Sequence, residues 1–253
     1  MKLVLTVLVV LTVGFALTVT IPTGSARLQQ SEKEIATPIR EGVMTERQRE
    51  HSRLYKEYKT EKKLRDINVP GTKDVRIAVG TGLPMGDPSA EPFNRNKFLR
   101  RLACDADAVV VGLVRDKTSQ FTEEEGFIFS DYEVVVQEIL KNNTTAPIQA
   151  NESVIITRPG GAVRLDGRVF QAEDESFKPL NMNSRYVLFL RYLPATNAYR
   201  AVNSKAAFVL LNNTVHKLTV EWTGFEDEND AGRFLSDLHA AVLSCKEEKG
   251  QRK

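Results

Sequence analysis

The sequence predicts a mainly β domain: a small antiparallel β-barrel with a packed C-terminal helix and a charged N-terminal helical extension. Three observations carry that expectation. CDADAVVVGLVRD, Cys104 to Asp116, and FSDYEVVVQEILKNNTT, Phe129 to Thr145, read as strands rich in β-branched residues. Gly- and Pro-bearing turn signals separate them from further short apolar runs. Phe234, Leu238, Ala241 and Cys245 then recur at helical spacing, flanked by Leu235 and Val242.

The chain opens with a segment of export character. Lys2 precedes an apolar run from Leu3 to Val19, and the small residues Gly24, Ser25 and Ala26 precede Arg27. This predicts a signal peptide over 1–26 and a secreted or periplasmic product. The alternative is an uncleaved anchor, so membrane association is expected only if the segment is retained. Removing it takes away one lysine and lowers the formal charge from +2 to +1. Balanced charge argues against a nucleic-acid partner. Arg95, Lys97, Arg100 and Arg101 are expected to form one solvated helix face.

Residues 27–68 form the predicted charged extension. Glu41 to Asp66 is dense in charge and free of proline, and Met44, His51, Leu54, Tyr55 and Tyr58 recur at helical spacing. A helix here has three outlets: packing on the barrel, pairing with a partner, or fraying. Residues 69–93 read as a linker rich in glycine and proline, with a short strand at Val75 to Val79. Gly80, Gly82 and Gly86 do not make a phosphate loop, because no Gly-Lys-Ser/Thr follows and proline stands where a helix should begin.

The main domain is expected over 94–246, followed by a flexible tail at 247–253. It starts with a helix at Asn94 to Ala103 that buries Phe98, Leu99 and Leu102. Ala108 to Val114 carries apolar residues on both faces, which predicts a strand covered on both sides. Lys117 to Gly126 reads as a loop, and Phe127 to Leu140 as a strand long enough to need a bulge. Further strands are expected at Ser153 to Thr157, Arg185 to Leu193, Ala206 to Leu211 and Val215 to Trp222. Pro159-Gly160-Gly161 and Leu165-Asp166-Gly167-Arg168 are turn chemistry. Glu226, Asp227, Glu228 and Asp230 stand where carboxylates favour the start of the last helix.

The composition holds two cysteines, Cys104 and Cys245, the candidates for one structural disulfide in an oxidising compartment. The alternative is two buried thiols acting as small hydrophobes. No catalytic set emerges. His51, His216 and His239 are far apart in sequence, with no HExxH or Cys-x-x-Cys, so neither a metal nor a cofactor is expected. No Gly-x-Ser-x-Gly elbow is present. Glu123 to Glu125 and Glu173 to Glu175 read as solvated faces. Asp166, Glu173 and Asp174 are the weak candidates for a hydrolase of unfamiliar type, if the fold brings them together. Asn142, Asn143, Asn151 and Asn212 match the N-glycosylation pattern, and equally serve as turn residues.

Cys, Ala-Asp, Val-Val-x-Gly-x-Val, a long loop, then Tyr-x-Val-x-Val-x-Glu-Ile-Leu-Lys, from Cys104 to Lys141, resembles the opening of netrin-module and tissue-inhibitor-of-metalloproteinase domains. RYVLFLRYL, Arg185 to Leu193, resembles their later Tyr-Val-Leu-Phe strand. The strand pattern is also similar to that of uncharacterised exported bacterial proteins. The resemblance, over Cys104 to Leu211, implies an OB-like five-stranded barrel with a helix packed against it. It does not bring the inhibitory mechanism, since Cys104 lies 77 residues past Arg27 and has no free amine. The expectation for function is an exported, non-enzymatic binding or scaffold protein with a protein partner. Its contacts would be made by 117–126, 158–183 and the 41–66 helix. Hydrolysis and protease inhibition are the alternatives.

Overall fold

The computed structural model describes residues 37–38, 44–58, 60–67, 74–79, 93–219, 225 and 227–251. The expected signal peptide, and the linker apart from its strand, lie outside the described residues. The fold is mainly β; among the described residues there are eleven strands and three α-helices in the order β1 (Thr37–Pro38), α1 (Glu46–Arg53), β2 (Val75–Val79), α2 (Arg95–Asp105), β3 (Ala108–Phe121), β4 (Ile128–Lys141), β5 (Ser153–Pro159), β6 (Gly161–Leu165), β7 (Arg168–Asp174), β8 (Arg185–Leu193), β9 (Ala198–Ala201), β10 (Ala207–Leu211), β11 (Thr214–Lys217) and α3 (Ala231–Gln251). The larger sheet runs β11-β10-β8-β3-β4-β5-β9, and β9 also pairs with β8. The circuit β8-β3-β4-β5-β9 therefore ends on the strand where it began. Its β5–β9 step is parallel, while the other four are antiparallel. A second sheet has the order β1-β6-β7-β2.

The alternation read from Val109 to Val114 is realised. Val109 and Val111 join a cluster with Leu99, Leu102, Phe208, Phe234, Leu238 and Cys245, which seats α2 and α3 on the sheet. Val110 and Val114 join the opposite cluster with Tyr132, Val134, Ile156, Tyr186, Leu188 and Leu190. The Cys104–Cys245 disulfide links α2 to α3 across a sequence separation of 141. Asn94 and Asp230 accept from the backbone N–H of Lys97 and Arg233, satisfying free donors at the two helix starts. Arg95 is not part of a solvated face: it bonds Glu228 at 2.6 Å and Asp237 at 3.1 Å, with Phe225 and Phe234 beneath its guanidinium.

Several boundaries differ from the sequence reading. The helix expected through Asp66 ends at Arg53 and gives way to 3-10 turns at Lys56–Tyr58 and Leu64–Asp66. The polar stretch from Lys117 is strand, because β3 continues to Phe121, and only 122–127 connects it to β4. Here one face buries Ser119 and Phe121, a two-residue period that the intervening polar residues obscure. The span from 158 to 183 holds the β6–β7 hairpin. Its turn is Asp166-Gly167, at φ 51° and 72°, the left-handed pair that a two-residue hairpin requires. β11 stops at Lys217 rather than Trp222, and β9 had no counterpart among the expected strands.

The end of the expected 117–126 loop and the 158–183 span thus build a second layer with the start of β4. Phe121, Phe127, Ile128 and Phe129 pack with Val163, Phe170 and Ala172 of the hairpin, with Val75, and with Tyr55 and Leu64 from the charged extension. The β3–β4 ladder serves both layers and carries register shifts at Val109/Val110, Val111/Gly112 and Val114/Asp116. Such irregularities bend and twist a strand pair that is too long to stay flat.

Gly112 sits at one of these shifts. A Cβ there would lie 2.3 Å from Val134 Cγ1 and 3.3 Å from the Val135 carbonyl oxygen, and Val134 is fully buried. Gly112→Ala should therefore lower stability by about 1–3 kcal/mol, read as a shift of the denaturant midpoint. Replacing both cysteines by serine should cost about 2–5 kcal/mol, since closing a loop of that length constrains the unfolded chain. A midpoint insensitive to reductant would contradict the second expectation.

Candidate functional site

The most organised polar cluster lies where the 46–66 segment meets the outer face of β4 and β5. α1 begins at a capping box: Thr45 Oγ1 accepts from the Gln48 N–H, and Gln48 Oε1 accepts from the Thr45 N–H. This fixes a helix of only two turns, and His51 and Ser52 on its inner side are buried. The 3-10 turn after it brings Tyr55 and Tyr58 to one side, since residues three apart nearly eclipse there. Tyr55 stacks on Phe129 at 5.6 Å and Tyr58 on Phe127 at 4.8 Å between ring centroids.

Four polar contacts pin this stretch. His51 Nδ1 lies 2.9 and 3.0 Å from the two oxygens of Asp131 on β4. Its Nε2 lies 3.0 Å from Thr196 Oγ1, in the loop joining β8 to β9. The Ser52 hydroxyl accepts from the Glu123 N–H at 2.7 Å, in the loop joining β3 to β4. The Tyr55 hydroxyl donates to Thr157 Oγ1 on β5 at 3.2 Å. Facing both oxygens of a carboxylate, Nδ1 is the nitrogen that donates, and in the tautomer protonated there alone Nε2 accepts from Thr196. The result is a continuous Asp131–His51–Thr196 relay, with the ring fully enclosed and Thr196 partly exposed at its outer end.

Thr196 also lines a cleft of about 420 Å³, bounded by Arg47, Pro147, Ile148, Val154, Asn197 and Tyr199 among others. Close by, Arg158 is buried, donates from Nη2 to the Lys178 carbonyl at 3.1 Å and lies over the Phe177 ring. Burial lowers its pKa and pushes the phenols of Tyr55, Tyr58, Tyr186 and Tyr199 up.

The residues singled out from sequence do not converge. Asp166 occupies the hairpin turn, while Glu173 and Asp174 stand at the far end of the seven-residue β7, roughly 20 Å away along the strand. Glu173 and Asp174 are adjacent in that strand and point to opposite faces. Asp174 is buried and accepts from the Ser176 N–H. Glu125 is engaged by Arg65 at 2.7 Å, and Glu123 is used through its backbone. His216 pairs with Asp227 at 2.7 Å, and His239 approaches the Leu235 carbonyl. Among the described residues, no group of three or more His, Cys, Asp or Glu is placed to hold a metal. Of the glycosylation-type asparagines, Asn142 is bonded to both backbone groups of Ile148, and Asn143 to Tyr199 and Thr145. Asn151 and Asn212 are exposed turn residues at positive φ. Sequence reading missed the relay: His51 is 80 residues from Asp131 and 145 from Thr196.

The buried phenols dictate an alkaline limit to stability. Below pH 10 both folded and unfolded tyrosines keep their protons. Above it the unfolded chain releases protons that the folded one holds, so stability falls as pH rises, by up to about 1.4 kcal/mol per pH unit for each fully buried phenol. Denaturant midpoints at pH 8, 10 and 11.5 should show this fall, and Tyr55→Phe should make the alkaline slope shallower. Equal slopes would remove Tyr55 from the account. No family model matches the chain, and a search of curated proteins finds no match.

Proposed function

We propose that the chain is an exported binding or scaffold protein built on an OB-like barrel. The observation that carries this reading is the pairing circuit β8-β3-β4-β5-β9 with its single parallel step. The resemblance of Cys104 to Lys141 and Arg185 to Leu193 to netrin-module and tissue-inhibitor-of-metalloproteinase domains supports it. The interior-facing cluster is filled by Tyr132, Ile156, Tyr186, Leu188 and Leu190, which leaves ligand contacts to the outer faces and loops.

In OB-type barrels the face of the second and third strands, together with the loops joining strands one to two and four to five, takes the ligand. The matching elements here are β4, β5, 122–127 and 194–197. The 46–66 segment lies on that face and touches every one of them. The open part of the surface is the cleft beside Thr196, and this is where the reading places the partner. Inhibition through a free cysteine amine forms no part of it, since Cys104 sits inside α2 and is bonded to Cys245. A secreted or periplasmic setting suits the disulfide. Among the described residues no helix is long and apolar enough to cross a membrane.

The test is photo-crosslinking in the exporting compartment. A crosslinker at Asn197, on the cleft, should capture a defined partner, and one at Leu243, exposed on α3, should not. Capture only from position 243, or from neither position, would overturn the reading.

A further inference from the structure

The relay ends at Thr196, a residue that also lines the cleft, and this arrangement goes further than a tether between α1 and the sheet. Asp131 holds Nδ1–H through both oxygens, so the ring cannot turn and Nε2 has one partner, Thr196 Oγ1 at 3.0 Å. In the tautomer protonated at Nδ1, the threonine hydroxyl donates to Nε2 and turns its oxygen lone pairs away from the ring. Nucleophile, base and orienting carboxylate in hydrogen-bond contact are the three parts that activate a hydroxyl for attack on a carbonyl. A fourth part is at hand. Arg47 lies four residues before His51, on the same side of α1, and lines the cleft with Thr196. A guanidinium there can stabilise a developing oxyanion. The cleft volume of about 420 Å³ is in the range of small-molecule sites, and its lining is mixed, with Arg47, Glu152, Ser153 and Asn197 beside Pro147 and Tyr199.

We infer that Thr196 is a nucleophile for acyl transfer from small esters, with His51 as its general base and Asp131 as the positioning residue. In the first step a bond forms between Thr196 Oγ and the ester carbonyl carbon, and the threonine proton passes to His51 Nε2. The bond to the leaving alcohol then breaks, and the alcohol takes that proton. Water attacks the threonyl ester under the same base, releasing the carboxylic acid and restoring Thr196. The inference rests on the cleft used in the binding reading and adds a chemical step to it. Its test reads a covalent bond and is independent of whether a protein partner is captured.

The experiment treats the full chain with a biotinylated fluorophosphonate probe, which forms an Oγ–P bond with loss of fluoride, and locates the adduct by peptide mass mapping. A single adduct on Thr196 is expected. Thr196→Ser should label at least as fast, because a primary hydroxyl is less hindered, and Thr196→Val should not label. His51→Gln should slow labelling by about 100-fold or more, the usual contribution of a general base. Hydrolysis of 4-nitrophenyl acetate should follow the same order. Absence of any Thr196 adduct, or equal labelling with His51→Gln, would overturn the inference. Should the His51 variant fail to fold, the contrast between Thr196→Ser and Thr196→Val decides the matter: equal behaviour of the two defeats the proposal.

Discussion

The β3–β4 ladder is the constraint on which the rest of the molecule depends. Each strand has fourteen residues and must serve two layers that face different ways. The first half of β3 pairs with β8 and lies beneath the helices, and the second half joins the hairpin layer. A flat ribbon cannot do both. Three register shifts bend it, and Gly112 lets β3 approach Val134 more closely than any side chain would allow. The clusters on either side are therefore coupled through backbone geometry, although few side chains belong to both.

The charged segment is held to this framework in a different way. Its helix is short and strongly polar, and the aliphatic surface that the segment buries comes chiefly from Leu64 and its neighbours Leu54 and Ile67. Two aromatic stacks and a handful of directed hydrogen bonds fix its register. Asp131 is almost fully enclosed, and a carboxylate in that position is tolerable only while its partner is present. The contact is thus specific rather than adhesive: the wrong register of the segment would leave both His51 and Asp131 unsatisfied.

How much of this was legible in the sequence follows from the range of each signal. The core of β3, the strand at Arg185 to Leu193, both flanking helices and the cysteine pairing rest on local periodicity or simple arithmetic, and they were readable. The continuation of β3 past Lys117 was not, because its buried face carries Ser119, whose hydroxyl is paired with Ser130 rather than packed among apolar neighbours. The β6–β7 hairpin was hidden in part. Its turn was recognised, yet strands with arginine and glutamine on one face do not look apolar enough to name. The relay was invisible for a deeper reason. His51, Asp131 and Thr196 meet only after three separate elements are in place, and nothing in the spacing of three common residue types announces that.

The pinning of the 46–66 segment also bears on the order in which the chain can fold. During synthesis this stretch emerges well before any of its receptors: Asp131, Thr157 and Thr196 follow 80 to 145 residues after His51. Two turns of polar helix have little intrinsic persistence, so the segment must wait as an unstructured leader until the sheet behind it exists. The cysteine pair imposes the same delay, because Cys104 has no partner until another 141 residues have appeared. Assembly of this protein is consequently back-loaded. The early-emerging residues are secured only after the sheet that receives them, and any factor that engages the nascent chain meets them free.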